Sequence, residues 1–139
     1  MANSSEVLAD TNGIIALLDA SDQYHQAATA IADSYHLVVP STVLPEVNYL
    51  ATKYLGEVVA QAFLQDLADG CFRYLTVELL DVRAALKIMS RYRDVPLGLV
   101  DASVMALAER YQIQRILTFD RRHFSLVKPQ TMEYFELLP

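Results

Sequence analysis

Short apolar runs alternate with longer amphipathic segments along the whole chain, and this alternation most limits how it can fold. The short runs are Glu6–Ala9, His36–Val39 (H-L-V-V, closed by Pro40), Phe72–Val77 (F-R-Y-L-T-V), Arg115–Phe119 (R-I-L-T-F) and Tyr134–Leu138. Each has strand length, and most are rich in β-branched or aromatic residues. Helical patterns fill the gaps at about 13–19, 22–34, 41–54, 57–68, 78–92 and 99–110. Ser41 or Thr42 is placed to cap the third of these, with Pro45 tolerated in its first turn. Gly56 and Gly70 close the third and fourth. Strands alternating with helices predict a three-layer α/β/α fold with a mainly parallel central sheet of about five strands. The 139 residues, 53% of them hydrophobic, suit a single domain over residues 1–139 with a substantial core.

The charge is unevenly placed. The net charge is −6, which argues against holding nucleic acid through bulk charge. Residues 1–52 carry six acids and no Lys or Arg, whereas from Lys53 onward eleven basic residues face eleven acids. Cys71 is the single cysteine, which excludes an internal disulfide framework and a cysteine-based zinc site. No apolar stretch approaches the roughly 18–20 residues of a membrane span, and no basic residue precedes a long apolar run at the N-terminus. A cytoplasmic location without membrane attachment is expected.

The predicted sheet makes four acids interesting. In a parallel sheet the carboxyl ends of all strands share one edge, and ligands bind there. Asp10 follows the first strand and Asp120 the fourth. Glu46 opens the helix that leaves the second strand, and Asp101 opens the helix that feeds the fourth. Four carboxylates far apart in sequence should therefore converge. Asp10 is equally suited to capping the helix after it, and Asp120 to capping a turn over Arg121–Phe124. Glu46 lies beside the apolar stripe of Val43, Val47 and Leu50, away from the capping-box position. Asp101 stands in an otherwise uncharged segment, L-G-L-V-D-A-S-V-M-A-L-A, on the face of Val104, Met105 and Ala108. A carboxylate buried there without a partner costs several kcal/mol or is neutralised by a pKa shift, so a cation is expected nearby. One Lys or Arg would neutralise one acid, not four. His25, His36 and His123 are scattered without ligand spacing. An all-oxygen donor set favours Mg²⁺ or Mn²⁺, and such an ion lets an acidic site accept a phosphate-bearing substrate.

The blocks V-L-A-D-T-N-G-I-I-A-L-L-D, P-S-T-V-L-P-E-V, P-L-G-L-V-D-A-S-V-M-A-L-A-E and I-L-T-F-D-R-R-H-F carry a resemblance that covers essentially the whole chain. It resembles the PIN-domain family, in particular the VapC-type ribonuclease toxins of toxin–antitoxin modules. The most specific signal is the pair Asp101 and Asp120, nineteen residues apart. The resemblance implies a PIN-like α/β/α fold and Mg²⁺- or Mn²⁺-dependent RNA cleavage, with Asp10, Glu46, Asp101 and Asp120 matching the family's four acids. Asp10 and Asp101 would hold the main ion, Asp120 would complete its shell or hold a second, and Glu46 would bind through water or orient the attacking water. Thr11, Asn12 and Thr118 are placed to hydrogen-bond those carboxylates, or merely to shape turns. Arg91, Arg93, Arg121 and Arg122 are candidate RNA contacts, or a solvated surface. The resemblance also implies a homodimer and a small antitoxin with a basic segment. An RNA-processing nuclease without an antitoxin, and a non-catalytic interaction protein of this fold, are the alternatives. A haloacid-dehalogenase-like phosphatase needs a second Asp where Asn12 stands. A receiver domain needs an Asp after the third strand, where Thr76, Val77 and Glu78 stand.

Overall fold

The computed structural model describes residues 5–139, and the first four residues of the expected domain lie outside the described residues. The elements run β1 (Glu6–Ala9), α1 (Thr11–Leu18), α2 (His25–Ser34), β2 (His36–Pro40), α3 (Leu44–Leu55), α4 (Glu57–Ala68), β3 (Arg73–Leu75), α5 (Leu79–Arg91), α6 (Leu99–Tyr111), β4 (Arg115–Leu117), α7 (Arg121–Leu126) and β5 (Glu136–Leu138). The five strands form one sheet in the order β3-β2-β1-β4-β5, and every pairing is parallel. The expected α/β/α architecture is therefore present, with the sheet parallel throughout.

Parallel crossovers are right-handed, so their direction decides the face they cover. From β1 to β3 the chain moves one way across the sheet, which places α1–α4 on one face. It then jumps back over β2 and β1 to β4, which places α5, α6 and α7 on the other. The helix contacts agree: α1 packs on α2 and α3, α3 on α4, and α6 on both α5 and α7. Strands covered on both faces must be apolar on both, and Val7, Leu8, Val38, Ile116 and Leu117 are all completely buried. No helix among the described residues is long and apolar enough to cross a membrane.

Local side-chain bonds move several element boundaries from their predicted places. Neither Ser41 nor Thr42 caps α3, which starts at Leu44. Ser41 Oγ instead accepts the Val77 N–H (2.8 Å), and Thr42 Oγ1 pairs with Ser103 Oγ on α6 (2.6 Å). Residues 22–24 leave α2 because Asp22 Oδ1 accepts the Tyr24 N–H (2.7 Å) and forms a turn. β4 ends at Leu117, two residues early, because the Phe119 N–H is taken by Asn12 Oδ1 (2.9 Å). Asp120 thus lies beyond the strand, at the N-cap of α7, with no capping bond from its side chain.

α1 lies close against β4 at Gly13. A Cβ on Gly13 would lie 2.7 Å from the Leu117 carbonyl oxygen and 2.8 Å from Leu117 Cγ. The first contact is with backbone in the sheet, which cannot swing aside. Gly13→Ala is expected to destabilise the chain by about 1–3 kcal/mol through overpacking. A urea titration should show a lower midpoint with an unchanged slope; a midpoint equal to wild type would mean that α1 is free to lift off β4.

Candidate active site

The chain order of the sheet reverses at β1, whose neighbours are β2 on one side and β4 on the other. Such a switch point opens a crevice at the carboxyl edge. A cleft of about 470 Å³ lies there, lined by Asp10, Glu46, Asp101 and Asp120 together with Thr11, Asn12 and Asp22. All four predicted acids therefore reach one cavity, from the end of β1, the first turn of α3, the first turn of α6 and the N-cap of α7. No Lys or Arg is among its lining residues.

Asp10 is the most constrained of them. Its backbone N–H donates to the Leu117 carbonyl (3.0 Å), which stitches β1 to β4 at the cleft floor. Its Oδ1 accepts the Thr11 N–H at 2.8 Å, and its Oδ2 lies 3.2 Å from Thr118 Oγ1. The residue is 5% exposed. Burial pushes its pKa up from 3.8 to about 6, the negative charges of Asp101 and Glu46 add to the rise, and the bonds from Thr11 and Thr118 oppose it. The capping and ligand readings of Asp10 are thus compatible, since one oxygen serves the helix start and the other faces Thr118.

The hydroxyls and the amide around it divide their work. Thr118, fully buried, also lies 3.3 Å from Asn12 Oδ1 and 3.2 Å from the Asp120 carbonyl, and it accepts the Asp120 N–H at 3.2 Å. Its one hydroxyl hydrogen serves one acceptor at a time. Thr11 Oγ1 donates to Glu46 Oε1 (2.6 Å), tying α1 to α3 across the cleft. Asn12 Oδ1 faces the Phe119 N–H and the Thr118 hydroxyl rather than a carboxylate. Glu46 is exposed on the rim.

Two residues had no part in the predicted site. His123 has no ligand spacing to the acids in the sequence, yet its Nδ1 sits 2.9 Å from Asp101 Oδ2, so Asp101 has a side-chain partner that the scattered histidines did not indicate. An ionised carboxylate only accepts, so Nδ1 carries the hydrogen in this pair. The signal was positional: His123 is three residues beyond Asp120, in the first turn of a helix that starts at the cleft. Asp101 is only partly buried, with 24% of its side chain exposed. Asp22, the second unforeseen residue, enters the lining from the α1–α2 turn, beside Tyr24 stacked on Phe119 at 4.4 Å.

The predicted arginines disperse. Arg122 Nε lies 3.4 Å from Asp120 Oδ1 with 84% of its side chain exposed, a surface pair of small energetic weight. Arg121 donates to the backbone oxygen of Pro139. Arg93 Nε reaches only the Ser90 carbonyl, at 3.5 Å. Arg91 lines a different groove.

The donor set of the cleft is oxygen-rich and suits a hard divalent cation. Among the described residues no three His, Cys, Asp or Glu side chains are drawn together tightly enough to hold an ion as they stand. The fit therefore rests on the shared cavity and on the raised Asp10 pKa, which burial causes chiefly and the charges of Asp101 and Glu46 increase.

Known proteins match this chain over most of its length. The PIN domain matches residues 7–128. Ribonuclease VapC26 of Mycobacterium tuberculosis is 33% identical over 135 residues, covering 96% of this chain and all of that protein. The crystal structure of Mycobacterium tuberculosis VapC20, a Sarcin-Ricin loop cleaving toxin, superposes with a TM-score of 0.80 at 23% identity, covering 91% of this chain and 98% of that one. A toxin–antitoxin complex from Klebsiella pneumoniae superposes with a TM-score of 0.68 at 21% identity, covering 91% and 99%.

The Asp10 environment has a consequence for stability in chelator-treated protein. Between pH about 4 and about 6 the folded chain keeps a proton on Asp10 that the unfolded chain has released. Stability from this group is therefore fullest below pH 4, falls as pH rises to 6 by on the order of 3 kcal/mol, and is level above. Asp10→Asn should raise the urea midpoint at pH 7.5 and match wild type near pH 4. A variant less stable than wild type at pH 7.5 would show that the buried charge is not opposing the fold.

Proposed function

This chain belongs to the PIN-domain family, and from that premise we propose that it is the ribonuclease toxin of a toxin–antitoxin pair, cleaving RNA phosphodiester bonds with Mg²⁺ or Mn²⁺ held among Asp10, Glu46, Asp101 and Asp120. The observation that carries this reading is the convergence of the four carboxylates on one cleft without a lysine or arginine in its lining. The similarity to a named ribonuclease over nearly the whole chain supports the RNA substrate.

A divalent ion bound there supplies a Lewis acid that screens the substrate phosphate and lowers the pKa of water. The rest falls to the side chains. Asp10 and Asp101 hold the ion, with Asp10 steadied by Thr11 and Thr118 and Asp101 by His123. Asp120 completes that shell with a side chain that no helix cap consumes. Glu46 sits on the rim with Oε1 occupied by Thr11, which leaves Oε2 to orient the attacking water and take its proton. Loss of the ion leaves Asp10 partly protonated, so ion binding releases protons and weakens as pH falls toward 6.

The partners follow from the same surface. The acidic cleft suits a basic antitoxin segment that blocks it by charge pairing. Antitoxin complexes among the solved relatives support such a partner. Leu79, Val82 and Leu86 are exposed at 64%, 40% and 61% along one stripe of α5, which suits a second copy of the chain. The cytoplasm is the compartment that fits an RNA target.

Purified protein should cut RNA with Mg²⁺ or Mn²⁺ and stop when EDTA is added. Asp101→Asn should lower the rate by at least about a hundredfold, the scale of one catalytic electrostatic contact. Chelator-resistant cleavage, or full activity in that variant, would sink the metal-nuclease reading. Size-exclusion chromatography should give a dimer that Leu86→Glu converts to monomer; a wild-type monomer at all concentrations would remove the self-interface.

A further inference from the structure

A second groove, of about 360 Å³, lies between α5, the end of α6 and the segment 127–135. Its floor includes the buried Ile88, Val127 and Phe135, and its rim carries Arg83, Lys87, Arg91 and Lys128. Arg83, Lys87 and Arg91 follow each other at intervals of four on α5, so they share one helix face and repel one another. Only one carboxylate, Glu109, is among the lining residues. Its Oε1 is already engaged by the backbone N–H groups of Gln130 and Thr131, the latter at 2.9 Å.

The rest of the molecule shows how unusual this is. Of eleven Lys and Arg residues, Arg73, Arg110, Arg115 and Arg122 pair with carboxylates, and Arg121 is held by the Pro139 oxygen. Arg93 reaches the Ser90 carbonyl at 3.5 Å. Among the described residues, Lys53, Arg83, Lys87, Arg91 and Lys128 have no such partner. Four of these five line the one groove. A solvated surface would scatter its unpaired cations rather than gather them around an apolar floor.

We propose that this groove binds the phosphodiester backbone of single-stranded RNA through Arg83, Lys87, Arg91 and Lys128. The assignment rests on the nuclease reading and extends it. A chain of net charge −6 with an acidic cleft repels a polyanion at both scales, so attraction has to come from a concentrated cationic site. The groove is joined to the cleft by two elements. α6 carries Asp101 at one end and Glu109 eight residues on, about 12 Å of helix rise. α7 leaves the cleft at Asp120 and delivers Val127 and Lys128 to the groove. Apolar and aromatic groups between the cations offer the sequence-tolerant base contacts that single-strand binding uses. An RNA strand anchored here would place neighbouring nucleotides at the cleft.

The test is fluorescence anisotropy of a short labelled single-stranded RNA in EDTA, which separates binding from cleavage, with salt varied. The variant R83Q/K87Q/K128Q changes only exposed side chains, and its thermal melt checks the fold. It should bind about tenfold or more weakly at low salt, and its log K against log salt slope should be shallower by about 2, from three contacts at roughly 0.7 each. The control K53Q should retain wild-type affinity and slope. Unchanged affinity in the triple variant, or an equal loss in the control, would overturn the groove. So would a loss confined to a poly-glutamate probe, which would assign the groove to an acidic protein segment. Wild type that cleaves RNA with Mg²⁺ while the triple variant binds normally would fail the groove alone; absence of cleavage by wild type would fail the nuclease reading itself.

Discussion

The seam between β1 and β4 is what the rest of the cleft depends on. The bond from Asp10 N–H to the Leu117 carbonyl places the carboxylate of Asp10 and the hydroxyl of Thr118 side by side, each one residue past the end of its strand. Thr118 then reaches Asp10, Asn12 and the backbone of Asp120, so three segments are aligned by one buried hydroxyl. Gly13 lets α1 press on Leu117 close enough to hold this arrangement. Without that contact the start of α1, and with it Thr11 and its bond to Glu46, would move away from the strand edge.

Concentrating carboxylates at such a seam has a cost, and it falls on Asp10. The residue has little water around it and two negative neighbours, so its charged form is held at a disadvantage that the Thr11 and Thr118 bonds only partly offset. Elsewhere the chain treats buried acids differently. Asp81, 1% exposed, accepts the Glu78 N–H at 2.8 Å and faces Arg110 at 3.3 Å, and Glu6 accepts from Arg73 at 2.8 Å. Acids with structural roles receive an arginine from the chain, whereas Asp10 and Glu46 in the cleft receive only amide and hydroxyl hydrogens. That contrast separates the cleft from ordinary buried polar groups. It has a mirror image in the groove along α5, where cations gather without carboxylates.

Much of the fold was legible because strands covered on both faces must be continuously apolar and helices must carry a stripe. The runs at Glu6–Ala9 and His36–Val39 and the amphipathic α5 were read almost at their observed limits. Boundaries failed where a side chain competed with the backbone: Ser41 and Thr42 bond to β3–α5 and α6 instead of capping α3, and Asn12 takes the N–H that would have extended β4. The four acids were legible because each stands beside a strand end or helix start. His123 and Asp22 were not, since no periodicity links them to Asp101 or Asp10. Nor was the groove, whose cations come from α5 and from Lys128, thirty-seven residues after Arg91.

The amino-acid sequence by itself determined the alternation of strands and helices, the parallel sheet and the identity of the acids at its carboxyl edge. Those properties follow from local rules, the period of apolar residues and the polarity of a parallel sheet. Only the tertiary structure decided which partners those acids have. It brought Thr118 under Asp10, Thr11 across to Glu46 and His123 onto Asp101, and it gathered four unpaired cations on one groove. Strand order and helix packing set these contacts, and they join residues whose separation along the chain carries no trace of their separation in space.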